Sequence, residues 1–134
     1  MRFNAFRECG EKQKNGVAFS IGQAAFSIRR WGTRESEKKI AELRRALFGA
    51  FSGDPDYFPE LIANWLADYG VAGWVGVLDD ETELPLEYSP RVAREVFLNE
   101  SYWLKLNMDL FQAAQDYELF LEDLAVEDCE EIKK

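Results

Sequence analysis

The C-terminal part of this 134-residue chain carries the most regular apolar pattern in the sequence. Apolar side chains recur there at alternating spacings of three and four residues, which is typical of one side of an α-helix. The positions are Trp103, Leu106, Leu110, Ala113, Tyr117, Phe120 and Leu124. Three heptads of this pattern predict a long helix whose apolar side must be covered, either by the rest of the fold or by another helix.

The opposite side of this helix is apolar only in its first half, where Leu104, Met108 and Phe111 project. Two explanations are open at this point. In the first, the front half of the helix crosses the core and the back half emerges into water. In the second, these three side chains form a contact surface for another chain, because exposed apolar patches mark interaction sites.

The N-terminal part predicts a β-hairpin. Apolar residues alternate with small ones over residues 17–21, and residues 24–31 repeat the theme. The dipeptide Gly22-Gln23 between them suits a tight turn. Residues 12–15, just before the first strand, are expected to form an exposed loop.

Three further helices are predicted from their capping residues. Thr33, Asp54 and Ser89 are candidate N-caps, and Pro55 and Pro90 suit the first helical position after the last two. Gly70 is expected to end the second of these helices. The apolar residues expected inside are Ile40, Leu43 and Leu47, then Leu61, Ile62, Trp65 and Leu66, then Val92, Val96 and Phe97.

Residues 71–78 contain too many glycines for a helix and are expected to form an extended, buried connector, followed by an acidic turn over residues 79–83. The sequence therefore predicts a single α+β domain that is predominantly α. It has an N-terminal β-hairpin followed by about four helices, of which the C-terminal helix is longest. Within this domain of residues 1–134, residues 1–32 form a β-rich basic opening, and residues 33–134 are helical and increasingly acidic.

Charge is distributed unevenly along the chain, whose formal net charge is −9. Residues 1–48 carry a net charge of +6 and residues 49–134 a net charge of −15. A solvated acidic end explains this split, and so does an acidic end that contacts a basic surface on a partner or on the next copy of the chain. Acidity of this degree disfavours nucleic acid as a ligand, because phosphates would be repelled.

The chain contains no histidine, which excludes Ser-His-Asp and Cys-His catalysis and zinc sites that use imidazole. The acidic turn does not match a calcium-binding EF-hand loop, because Leu84 and Pro90 occupy the positions that require Gly and Glu. No glycine-rich phosphate-binding motif is present. We therefore expect a binding protein rather than an enzyme, with no cofactor and no metal.

Two further sequence features concern the cellular compartment. Cys9 and Cys129 lie far apart, which favours two thiols in a reducing compartment over a disulfide between the chain ends. Residues 1–10 contain no apolar run typical of a secretory signal, and the longest apolar stretch, residues 71–78, is too short to cross a bilayer. A cytosolic protein is expected.

The middle and end of the chain resemble the tail assembly chaperones of long-tailed, siphovirus-type bacteriophages and prophages. The β-rich opening followed by a charged helix with Glu35 and Glu37 is also similar. The other residues that carry the resemblance are Gly73–Val77, Asp79–Glu81, Leu84–Pro90, Val92, Ala93 and Phe97, then Tyr102–Leu106 and the acidic C-terminal helix.

This resemblance implies a non-enzymatic protein of the host bacterial cytoplasm. Such chaperones bind the tape-measure protein, keep it soluble, help to recruit tail-tube subunits, and are absent from the finished virion. The partner-binding residues assigned on this basis are Leu104, Met108 and Phe111, the motif residues Trp74 and Tyr88, and the carboxylates Asp116, Glu118, Glu122 and Asp123. Self-association through the basic N-terminal and acidic C-terminal segments is also expected. No nucleic acid or membrane is expected as a partner.

The alternative function comes from another class of protein. An acidic chain with phage-like character also suits a DNA mimic that blocks a host DNA-binding protein. A mimic needs negative charge spread along one face, whereas here the carboxylates concentrate at one end of the sequence and the cations at the other. Competition by duplex DNA in a pull-down against DNA-binding proteins separates the two functions.

Overall fold

The computed structural model describes residues 3–51 and 57–121. A three-stranded antiparallel sheet of order β1-β2-β3 packs against helices that supply most of the structure. The strands are β1 (Val17–Ile21), β2 (Ala24–Ile28) and β3 (Val71–Val75). The helices are α1 (Gly10–Asn15), α2 (Arg34–Phe51), α3 (Tyr57–Trp65), α4 (Pro90–Phe97) and α5 (Met108–Gln115). The predominantly helical α+β class and the N-terminal hairpin are therefore confirmed.

Short segments of other helix types extend these elements. A 3-10 turn at Phe3–Phe6 precedes α1, and a π-helical segment, Leu66–Gly70, continues α3 into β3. A second π-helical segment, Trp103–Asn107, follows the 3-10 turn Glu100–Tyr102 and leads directly into α5. A last 3-10 turn covers Tyr117–Phe120.

The hairpin forms where the sequence predicts it. Strands β1 and β2 pair from Ile21↔Ala24 to Val17↔Ile28, and Gly22 in the two-residue turn adopts φ +60°, as the favoured hairpin turns require. The connector predicted over residues 71–78 is extended, but its first five residues form β3, which pairs with β2. The loop expected over residues 12–15 is wrong, because these residues belong to α1.

Helix capping follows the sequence at the two caps that lie within the described residues. The Thr33 hydroxyl oxygen accepts a hydrogen bond from the N–H of Ser36 at 3.2 Å, and the Ser89 hydroxyl oxygen accepts one from the N–H of Val92 at 3.1 Å. The third predicted cap, Asp54 with Pro55, lies outside the described residues.

The core is organised around aromatic side chains. Trp31 lies between Trp65 and Phe111, with ring centroids 4.9 Å and 4.8 Å away and both pairs close to perpendicular. Trp65 is fully buried, and its indole N–H donates to the Ser36 hydroxyl at 3.0 Å. On the sheet, the register places Phe26 opposite Trp74, whose ring contacts Phe97 of α4. These contacts join the sheet to α3, α4 and α5.

The C-terminal helical pattern is only partly realised as predicted. Three consecutive segments of three, five and eight residues run from Glu100 to Gln115, compared with 18 residues in α2. The helix was expected to continue to Leu124, but Asp116 adopts an extended conformation and its carboxylate accepts from the N–H of Glu118 at 3.0 Å. This local side-chain bond competes with the helix and starts a separate turn.

Residues 117–121 fold back onto the N-terminal segment instead of emerging into water. Phe120 is fully buried, and its carbonyl accepts from the N–H of Cys9 at 2.7 Å. The Arg30 guanidinium lies 5.7 Å from the Phe120 ring centroid, binds both carboxylate oxygens of Glu8, and donates to the carbonyl of Ala114. Arg30 thereby ties the two ends of the described chain together.

Cys9 lies in this junction with 1% of its surface exposed, and it is disulfide-bonded. The other cysteine of the sequence, Cys129, lies outside the described residues. The structure differs here from the expectation of two thiols. The backbone pairing of Glu8 and Cys9 with Leu121 and Phe120 accounts for the difference, because it places Cys9 beside residues 120–121.

Candidate protein-docking surfaces

The three apolar residues assigned to partner binding on the C-terminal helix do not share one environment. Leu104 is 93% exposed, whereas Phe111 is 5% exposed and packs on Trp31. Met108 lies between them in sequence and is half-buried. Phe111 therefore belongs to the core and is not available to a partner, which corrects its assignment as a contact residue.

Phe58 of α3 extends the exposed part of this surface. Its ring centroid lies 5.9 Å from that of Phe111, and 46% of its surface is exposed. Leu104, Met108 and Phe58 are hereafter called the apolar stripe. A single exposed leucine is ordinary on a protein surface, whereas neighbouring exposed apolar side chains mark interaction sites. Helix α3, which carries Phe58, contacts the segment Trp103–Asn107 that carries Leu104.

The motif residues Trp74 and Tyr88 hold the structure together rather than face a partner. Trp74 is 9% exposed, and its indole N–H donates to the carbonyl of Leu86 at 2.8 Å. Tyr88 packs edge-on against Trp74 at 5.1 Å, and its hydroxyl donates to the carbonyl of Val71 at 3.2 Å. Both side chains fasten residues 84–88 to β3.

Of the four assigned carboxylates, Asp116 and Glu118 are exposed at the end of α5, and Asp116 also caps the turn that follows. Glu122 and Asp123 lie outside the described residues. The structure therefore brings Asp116 and Glu118 close together but does not place either of them on the apolar stripe.

A cleft that the sequence did not single out lies between the loop after β3 and the helices that follow it. Its volume is about 430 Å³. The floor is apolar, and carboxylates lie along the rim. The floor residues are Val77, Leu86, Val96 and Leu106, and the acidic lining residues are Asp79, Asp80, Glu81 and Glu95. We call this feature the acidic cleft.

The loop that forms one wall of the acidic cleft is built by local hydrogen bonds. The Asp79 carboxylate accepts from the N–H groups of Glu81 and Thr82 at 2.9 and 3.0 Å. These backbone hydrogen bonds, that from Thr82 first, lower the pKa of Asp79 below its usual value. Leu78 and Pro85 form a bridge across the loop base.

Besides Asp79, two further carboxylates of the cleft have partners. Glu95 forms an ion pair with Arg91 at 2.7 Å on the surface of α4. The Tyr102 hydroxyl donates to Asp80 at 3.4 Å across the cleft. The signal that could have identified the cleft in the sequence is the pair Leu78 and Leu86, apolar residues on either side of the acidic turn that both line it.

A small polar pocket beside α1 holds the other carboxylate with a shifted pKa. Burial raises the pKa of Glu8, but hydrogen bonds from Arg30 and Gln13 and the charge of Arg30 outweigh this effect and leave the pKa lowered. Arg30 forms a bidentate ion pair with Glu8, with nitrogen–oxygen distances of 2.8 and 3.2 Å. The pocket therefore stabilises the fold and leaves no free base.

Other kinds of site find no support in residues 3–51 and 57–121. No group of three acidic or cysteine side chains there is arranged to hold a metal ion. None of the helices described is both long enough and apolar enough to span a membrane. Comparison of the chain with family models, with curated proteins and with solved structures finds no match.

Proposed function

We propose that the protein is a phage tail assembly chaperone that binds the tape-measure protein through the apolar stripe, keeps it soluble and helps to recruit tail-tube subunits. The proposal rests on the resemblance of the motifs around Trp74 and Tyr88 and of the C-terminal segment to that family. The observation that carries it is the 93% exposure of Leu104 beside Met108 on a protein whose net charge is −9.

A chaperone of this kind needs two surface properties. It must offer apolar side chains that replace water around the helices of an insoluble client, and it must carry enough net charge to keep the complex in solution. The apolar stripe supplies the first property. The net charge supplies the second, with exposed carboxylates such as Asp116 and Glu118 close to the end of the same helix.

Coexpression tests this function directly. A very long, helix-rich reading frame is expected beside the gene for this chain. The product of that reading frame should be insoluble when it is expressed alone in bacteria. Coexpression with this chain should move it to the soluble fraction and allow the two proteins to be purified together. Absence of such a reading frame, or a client that is equally soluble alone, would contradict the function.

A matched pair of variants tests the surface. Leu104→Ser removes the leucine of the apolar stripe, and Leu84→Ser makes the same change at a leucine that is 63% exposed and lies outside the stripe. We expect Leu104→Ser to lower the yield of soluble client at least threefold and Leu84→Ser to leave it unchanged. Equal yields from the two variants would show that the client binds elsewhere.

A further inference from the structure

We infer that helix α2 of a second copy of this chain docks in the acidic cleft, so that copies join head to tail. The floor of the cleft is formed by four apolar side chains, and Asp80 and Glu81 stand at its rim. A groove with an apolar floor and an acidic rim suits a helix side that presents cations on long alkyl stems, because the stems cover the floor and the charges reach the rim. The inference concerns self-association and does not depend on the client-binding function.

The outward side of α2 has the charge that this groove requires. Ile40 and Leu43 are buried and fix the side of the helix that faces the core. At about 100° per residue, the diametrically opposite side carries one row of four residues. That row, called the basic stripe, consists of Arg34, Lys38, Ala41 and Arg45, all exposed, and the exposed carboxylate of Glu42 borders it on the side away from Ala41.

The three cations of the basic stripe are available for intermolecular contacts. Within the described part of the chain, the observed ion pairs of basic residues involve other side chains, namely those of Arg30, Lys39, Arg91, Arg94 and Lys105. Ala41 is small enough to let the helix backbone approach an apolar floor. The alkyl stems of Lys38 and Arg45 cover apolar surface while their charged ends reach the rim.

A second copy is the occupant that the molecule itself specifies, because one chain carries both complementary surfaces. The residues that line the acidic cleft lie between Val77 and Leu106, and none belongs to α2. One docking event therefore leaves a free cleft on one copy and a free basic stripe on the other. Such a contact between different surfaces propagates as a row of copies unless the rotation between them closes a ring.

The net charge of −9 opposes this association and sets the conditions for the test. At 0.1 M salt, repulsion between whole molecules is screened beyond about 10 Å, whereas ion pairs in contact at about 4 Å persist. At 1 M salt the screening length falls to about 3 Å. Sedimentation velocity of the full chain at 0.1 M salt should show a weight-average sedimentation coefficient that rises with concentration, and 1 M salt should abolish the rise.

Charge reversal on each surface should prevent self-association. Asp80→Lys with Glu81→Lys makes the cleft rim positive, and Lys38→Glu with Arg45→Glu makes the basic stripe negative. Each double variant, examined alone, should raise the dissociation constant at least tenfold. The control, Glu11→Lys with Glu87→Lys, changes the net charge by the same amount as the cleft variant at exposed residues that do not line the cleft, and it should not weaken association.

Mixing the two charge-reversed proteins gives the decisive result. The positive cleft of the cleft variant can then bind the negative α2 of the α2 variant. The native cleft of the α2 variant can bind the native α2 of the cleft variant, so alternating copies should associate again. Circular dichroism and urea unfolding of each variant exclude misfolding as the cause of its loss of self-association. A chain that stays monomeric at 0.1 M salt up to high concentration, or folded variants that fail to associate when mixed, would overturn the inference.

Discussion

Gly70 is the position at which the packing of the core permits no side chain. A Cβ atom built on Gly70 would lie 2.6 Å from Cε3 and 2.9 Å from Cη2 of the Trp65 ring, and closer still to Cζ3. We therefore expect Gly70→Ala to be strongly destabilising. A shift of the chain at Gly70 would also reach the acidic cleft, because Gly70 directly precedes β3 and the residues after β3 form one wall of that cleft.

The magnitude follows from what holds the Trp65 ring in place. The ring is fully buried, bonded to the Ser36 hydroxyl at 3.0 Å and packed edge-on against Trp31 at 4.9 Å. A shift of about 1 Å to make room would lose the hydrogen bond of a buried donor, which costs about 1–3 kcal/mol. It would also weaken the aromatic contact, worth about 0.5–1.5 kcal/mol. We therefore expect the free energy of unfolding to fall by about 2–4 kcal/mol.

Two matched substitutions isolate the steric effect. Nothing lies within 4 Å of a Cβ atom built on Gly73 or on Gly10, and neither glycine has a positive φ. Gly73→Ala should stabilise the protein by about 0.5–1 kcal/mol, because glycine weakens a strand interior by that amount. Equilibrium urea unfolding followed by tryptophan fluorescence measures all three variants. A Gly70→Ala protein within about 0.5 kcal/mol of wild type would refute the close packing of Trp65 on the chain at Gly70.

Four further outcomes test other parts of the structure. Asn107→Leu should change the free energy of unfolding by less than about 1 kcal/mol in urea: it removes a buried Oδ1 that has no partner among the described residues, and the Phe97 carbonyl, which loses the Asn107 amide, keeps the Trp103 indole N–H as a donor, whereas Asn107→Asp should destabilise strongly. Ser89→Ala should cost about 1 kcal/mol in the same assay by removing the cap of α4. The lowered pKa of Glu8 means that its ion pair stabilises the fold above the unfolded value of 4.5 and that this contribution is lost as the pH falls further; stability measured against pH should decline less steeply in Glu8→Gln than in wild type. In denaturing buffer without reductant, Cys9 should not react with a thiol reagent, and two reactive thiols per chain would contradict its disulfide.

Local signals in the sequence were sufficient for most of the elements. The hairpin turn at Gly22 and the caps at Thr33 and Ser89 each depend on a residue and its near neighbours, so they can be inferred without knowing the rest of the fold. The end of α5 could not be inferred in this way. The apolar spacing continues through Tyr117 and Phe120, but Phe120 is buried by Cys9 and Arg30, which lie about a hundred residues earlier in the chain.

The burial of Phe111, which was assigned as a contact residue, could not be inferred for the same reason. Leu104 and Phe111 lie on the same side of the helical pattern, and the sequence gives them equal weight. Their exposures differ because Trp31, from the turn between β2 and α2, and Phe58 of α3 cover Phe111 and leave Leu104 uncovered. Helical periodicity identifies which residues share a side, but only the tertiary arrangement decides how far along that side the core extends.

The charge of the N-terminal segment shows most clearly how the fold changes the meaning of a sequence pattern. The net charge of +6 over residues 1–48 suggests a broad basic surface, yet the structure uses several of these cations internally. Arg29 donates to the carbonyl of Tyr69 at 2.7 Å, Arg30 is paired with Glu8, and Lys39 lies 4.0 Å from Asp68. The cations on the outward side of α2 have no such partner among the described residues. Among the described residues, three exposed cations without an ion pair, Arg34, Lys38 and Arg45, share one side of α2, whereas Lys14 and Arg44 lie elsewhere. A contact through this side of α2 therefore engages three cations at once, which attraction between the chain ends as a whole does not require.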